Sequence, residues 1–202
     1  MSDLRPGSRY SVSWGGPLSQ DIGAAGTWPA LSDPRLRLLL RCWAGWRIGL
    51  APPPRAAVNP AEIKPCLPDL WIFRITDSGD DMVCTLAGEG LREAWGFSII
   101  GSRPVDLWGQ QSGGIARDRL LLAARMPAVI HGRTDITPRS GPAKLAQRLM
   151  LPLADDAGAP YGVMGMTLFA YDRHLDQDLP VALPLHTSAY PCASLPAGLP
   201  PA

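Results

Sequence analysis

The stretch between Ala87 and Ala128 constrains this chain more than any other feature. Before it stand two short runs rich in branched and aromatic residues, Leu70-Trp71-Ile72-Phe73-Arg74-Ile75 and Met82-Val83-Cys84-Thr85-Leu86-Ala87. The cluster Thr76-Asp77-Ser78-Gly79-Asp80 separates them, with a glycine free to take positive φ, so the pair reads as a β-hairpin. After the stretch come three more strand-like segments at 128–136, 145–153 and 161–171, parted by turn clusters at 138–142 and 155–158. No tight turn can join the second strand to the third across such a gap. What fills it reads as helix. Residues 89–95 make about two turns ended by Gly96, Gly101 and Pro104 punctuate short turns around Val105, Leu107 and Trp108, and residues 113–126 carry Ile115, Leu120, Leu121, Leu122 and Met126 up to Pro127. A helical insert inside a five-stranded antiparallel sheet must cover one face of that sheet, and a cavity between the two layers follows.

In the second of these three segments Leu145, Leu149, Leu151 and Leu153 alternate against Lys144, Ala146 and Arg148. Both faces of several strands look apolar, so the sequence does not fix which face points inward, and the outer face of the sheet reads as covered too. Gly162 and Gly165 lie inside the last strand, where glycine marks close approach by another group.

A further helix precedes the hairpin. Asp33 is a good N-cap, and Pro34 at the first helical position gives up no needed hydrogen bond. At 100° per residue Leu36, Leu39, Leu40, Trp43, Trp46 and Leu50 fall on one stripe, with Arg35, Arg37 and Arg41 off it. Gly49 and Pro52-Pro53-Pro54 end it. Such a stripe either packs on its own domain or pairs with the same helix of a second subunit, and it is the expected interface of a homodimer. Asn59-Pro60-Ala61-Glu62 repeats the start signal for a short helix before Pro65 and Pro68. Residues 1–31 show no sustained period and read as a flexible arm. Residues 174–202 are proline-rich, carry no charge after Asp178 and read as a disordered tail, which leaves 32–173 as the domain.

Composition removes several classes of function. A net charge of +1 argues against a nucleic-acid binder driven by phosphate neutralisation. No apolar run approaches the length of a membrane span, and MSDLRPGSRY has no apolar core of a secretory signal, so a cytoplasmic protein without membrane insertion is expected. The four cysteines, Cys42, Cys66, Cys84 and Cys192, form no CxxC pair, which excludes a zinc knuckle and suits reduced thiols.

The element order is the layout of a PAS domain, and residues carry the likeness further. Pro54-Arg55-Ala56-Ala57-Val58-Asn59-Pro60-Ala61-Glu62-Ile63 followed by Leu67-Pro68-Asp69-Leu70-Trp71-Ile72-Phe73 resembles the opening of a stand-alone PAS family of alphaproteobacteria. Thr85-Leu86-Ala87-Gly88-Glu89 and Trp95-Gly96-Phe97-Ser98-Ile99-Ile100-Gly101 occupy the places of that family's next two blocks, with Thr85 where the family has Arg and Glu89 where it has Thr. The resemblance covers about residues 35–172. It implies an α+β sensor or interaction module and names no ligand.

Signals for catalysis are thin. Gly113-Gly114 has no Lys-Ser/Thr partner of a phosphate loop, and Gly-x-Ser-x-Gly is absent. His131 is the one histidine of the core, since His174 and His186 lie in the tail, so no metal site is expected. A thiol enzyme would need Cys84 to meet His131, and a haem would need His131 as its ligand. The cysteine-bearing stretch of light-sensing flavin domains does not occur. An apolar pocket remains, with Trp95, Phe97, Leu121, Leu122, His131, Leu149, Met150, Met164 and Met166 as its wall. The expectation is a non-enzymatic sensor that binds a small apolar ligand and acts in trans on a signalling protein such as a histidine kinase. The rival is a ligand-free interaction and dimerisation module.

Overall fold

The computed structural model describes residues 10–12, 20–138, 144–171 and 186–201. The hairpin forms where expected, as β3 (Leu70–Ile75) and β4 (Met82–Ala87), after two short strands, β1 (Tyr10–Val12) and β2 (Gln20–Ile22). Three long strands follow the insert, β5 (Ala128–Pro138), β6 (Lys144–Ala154) and β7 (Pro160–Tyr171), and a last one, β8 (His186–Pro191), follows them. The expected turn at 155–158 is present, whereas most of the turn expected at 138–142 lies outside the described residues. The sheet runs β2-β8-β5-β6-β7-β3-β4 with β1 also on β5, and every pairing is antiparallel except β2 with β8. The five expected strands are thus the body of a larger α+β sheet.

Among the described residues three α-helices dress it. In α1 (Pro34–Trp46) the Asp33 carboxylate accepts from the Arg35 backbone N–H at 2.8 Å. The helix ends at Trp46, short of Leu50, because Arg47 turns extended. The second start signal opens no α-helix. Asn59 accepts from the Ala61 N–H and donates to Glu62, and the prolines that follow hold the chain to a 3-10 helix at Lys64–Asp69. Within the insert α2 (Glu89–Trp95) is closed by left-handed Gly96, and α3 spans Pro104–Arg125. The residues around Val105 to Trp108, expected as separate turns, are the first segment of α3, which breaks at Gly109 (φ 76°, ψ 175°).

Side chains alternate across the strands, so the sheet carries two cores. On the insert side Trp71, Phe73, Cys84, Ile130, Met150 and Val163 pack under Leu91 and Trp95 of α2 and Ala116, Leu120 and Leu121 of α3. On the other side Leu70, Ile72, Val129, Leu149, Leu151, Met164 and Met166 pack under Leu36, Leu39, Leu40 and Trp43 of α1. The glycines of β7 fit their reading. A Cβ at Gly165 would lie 2.1 Å from the Trp71 ring, and one at Gly162 would lie 2.2 Å from the Phe73 carbonyl oxygen.

Three expectations are corrected here. Leu36, Leu39, Leu40 and Trp43 are buried within their own chain, which rules them out as the contact surface of a dimer; Trp46 is half-buried and only Leu50 of the stripe is exposed. The stretch 174–202, expected without structure, contributes β8, and beyond it Cys192 and Leu195 are buried while Arg41 donates to the Pro200 carbonyl at 2.8 Å. The arm expected over residues 1–31 contributes β1 and β2, and Leu31 is buried in the α1-side core.

Candidate functional site

The insert side is the place where helices and sheet could enclose a ligand. Trp95 anchors it from α2, with its ring edge-on to Phe97 at 6.0 Å and to Trp108 at 5.7 Å. Leu121 from α3 and Met150 from β6 join the same cluster, so four of the nine expected wall residues lie together. Leu149, Met164 and Met166 do not: they face α1, because each is one residue out of step with Met150 or Val163 along its strand. His131 pairs in register with Leu149 and one residue from Ile130, which places it on that same far face. Leu122 is half-buried and belongs to neither cluster.

Next to the apolar residues runs a polar row that sequence reasoning missed. In register across β8, β5, β6 and β7 stand Thr187, Gly132, Arg148 and Thr167. Cross-strand partners share a face, and Arg148 sits two residues from Met150, so this row points at the insert. Arg148 is therefore buried, at 6% exposure. The Thr167 hydroxyl fixes it, accepting from Arg148 Nε and from Trp71 Nε1, both at 3.0 Å. Arg119 of α3 comes down on the same space, 4% exposed.

Its charge is felt below. Burial, and then the neighbouring Arg119 guanidinium, disfavour the charged form of Arg148, and burial does the same to Arg119. Among the described residues Arg119 forms no ion pair, its buried Nε and Nη1 have no hydrogen-bond partner, and neither has the buried Thr187 hydroxyl. The signal for Arg119 was in the sequence, since it falls at helical spacing among Ala116, Leu120 and Ala123 on the stripe that α3 buries.

The thiol reading fails on topology. β4 and β5 are separated by β3, β7 and β6, so Cys84 and His131 are four strand spacings apart, roughly 19 Å. Burial pushes the Cys84 thiol up to about 12, and those of Cys66 and Cys192 up to about 11. At pH 8 these three are therefore neutral and shielded. N-ethylmaleimide should label native protein at half-buried Cys42 alone and all four cysteines after unfolding, as read by intact mass. Rapid native labelling of Cys84 would contradict this packing.

Among the described residues no group of three or more His, Cys, Asp or Glu is placed to hold a metal ion, and no helix is long and apolar enough to cross a membrane. A search of curated proteins finds no match to the chain. The family profile described as PAS domain matches residues 31–168, a span that takes in α1, the hairpin, the whole insert and β5 to β7 as far as Leu168. With an antiparallel sheet, a helical insert on one face and that match over more than half its length, the chain belongs to the PAS domain family, whose members are sensory or interaction modules.

Proposed function

We propose that this chain is a sensory module that holds a small molecule between α3 and the insert-side face of the sheet and acts on a signalling partner in trans. The observation that carries this reading is the pair of buried polar groups left open there, Arg119 and Thr187. Burying a hydroxyl without a partner costs about 1–3 kcal/mol, and an unpaired charge costs more. A core needed for packing alone would place leucine or methionine at such positions, since apolar replacements of buried ionic groups are commonly neutral or stabilising. A bound molecule would satisfy these groups and offset the cost of burying them.

Native mass spectrometry of freshly purified protein tests the reading. The expected result is a mass excess that vanishes on denaturation. A bare mass in protein from several expression hosts and growth media would overturn it in favour of a ligand-free interaction module.

A further inference from the structure

We infer that the ligand is a small oxyanion, a carboxylate or phosphate group seated over Gly132 and held by the guanidiniums of Arg119 and Arg148 with the Thr187 hydroxyl. The inference rests on the ligand-binding reading above and names the chemical class of its ligand. Three features of the site lead to it.

The first is charge. Two guanidiniums converge on a region otherwise lined by Ile130, Met150, Ala116 and Leu120, and Arg119 has no carboxylate partner among the described residues. Like charges in a low-dielectric setting repel strongly, and an anion between them reverses the sign of that energy. A neutral apolar ligand would leave the Arg119 charge uncompensated.

The second is space. In the row Thr187–Gly132–Arg148–Thr167 the residue between Thr187 and Arg148 is a glycine, which brings no side chain of its own onto that face. Gly132 is itself buried, so this part of the row lies beneath the insert and not at the surface. The third is donor chemistry. Arg148 is held in place through Nε by Thr167, while Arg119 keeps Nε and Nη1, and Thr187 keeps its hydroxyl, without partners. Guanidinium and hydroxyl donors fixed before binding suit the oxygens of a carboxylate or phosphate.

Thermal unfolding of the full chain after exhaustive dialysis tests the assignment. The probes are inorganic phosphate, succinate and acetate, with succinamide as the neutral analogue and sodium chloride at matched ionic strength. At least one oxyanion should raise the wild-type midpoint by about 3–6 °C at saturation, as binding to the native state alone requires. Phosphate acting alone identifies a phosphate ligand, and succinate or acetate acting without it identifies a carboxylate. Arg119→Met keeps the apolar stem and removes the charge. It should unfold no lower than wild type in the absence of probe and lose the shift. Thr187→Val provides a second, smaller change that should weaken the same shift. The assignment is overturned if no oxyanion exceeds succinamide and chloride, or if Arg119→Met retains the full shift. In those cases a native mass adduct that persists in Arg119→Met would leave the sensor reading standing with a neutral ligand, and the absence of any adduct would remove both.

Discussion

Urea unfolding of a Trp43→Ala variant is expected to show a stability lower by about 3–5 kcal/mol, the usual cost of deleting a buried indole. A domain of this size has about 5–15 kcal/mol in all, so this one change takes a large share. The position explains the size. Trp43 has no exposed surface and lies against the sheet among Leu36, Leu39 and Leu40. Its Nε1 donates to the Pro152 carbonyl of β6 at 2.9 Å, which pins α1 to the sheet, and the Arg47 guanidinium lies 5.4 Å from its ring centroid. Alanine would leave a cavity, an acceptor without its donor and a displaced cation. The same experiment separates two roles for α1. A helix that served only to join two copies would give a variant whose midpoint at low protein concentration equals that of wild type. A helix that closes its own core gives the full loss at every concentration. Leu39→Ala, which removes no polar contact, should cost about 2–5 kcal/mol by the cavity alone.

Local chemistry was legible in this sequence, and pairing between distant segments was not. The hairpin bounds, the closure of α2 by Gly96 and the close approaches at Gly162 and Gly165 all follow from constraints within a few residues: branched residues for strands, positive φ for glycine, a missing Cβ for contact. The facing of Arg148 did not follow. Leu149, Leu151 and Leu153 define one buried face, and alternation tells inside from outside only when the other face is polar. That signal fails when both faces are covered, as α1 and α3 cover them here. The expected pocket wall mixes the two faces for the same reason, since Met150 and Met164 look alike in sequence and lie on opposite sides of the sheet. Arg119 and Arg148 were not singled out in the sequence, although they give the insert side its polar chemistry.

The C-terminal stretch carries the second large effect. A chain ending at Tyr171 should lose about 4 kcal/mol or more and associate in solution, as read by urea unfolding and size-exclusion chromatography. Its prolines and low charge suggested a segment unable to order itself, but ordering is supplied by a partner more than fifty residues earlier. β8 pairs with β5 from Ala128↔Pro191 to Arg133↔His186, and the Cys192 N–H bonds the Pro127 carbonyl at 2.8 Å. Cys192 and Leu195 are buried beside α1, and each large apolar side chain so placed contributes about 1.5–3 kcal/mol. Arg47 donates to the Cys192 carbonyl at 3.0 Å and Arg41 to that of Pro200, so the stretch also ties down α1. Its removal would bare the β5 edge over residues 128–133, an unpaired ladder prone to pair with another chain. It would also remove Thr187 from the polar row facing Arg148. The shortened chain should therefore lose both the ligand's mass excess and any oxyanion-induced shift. A monomeric chain ending at Tyr171 that unfolds at the wild-type midpoint would show that β8 is not part of the folding unit, and would take Thr187 out of the site with it.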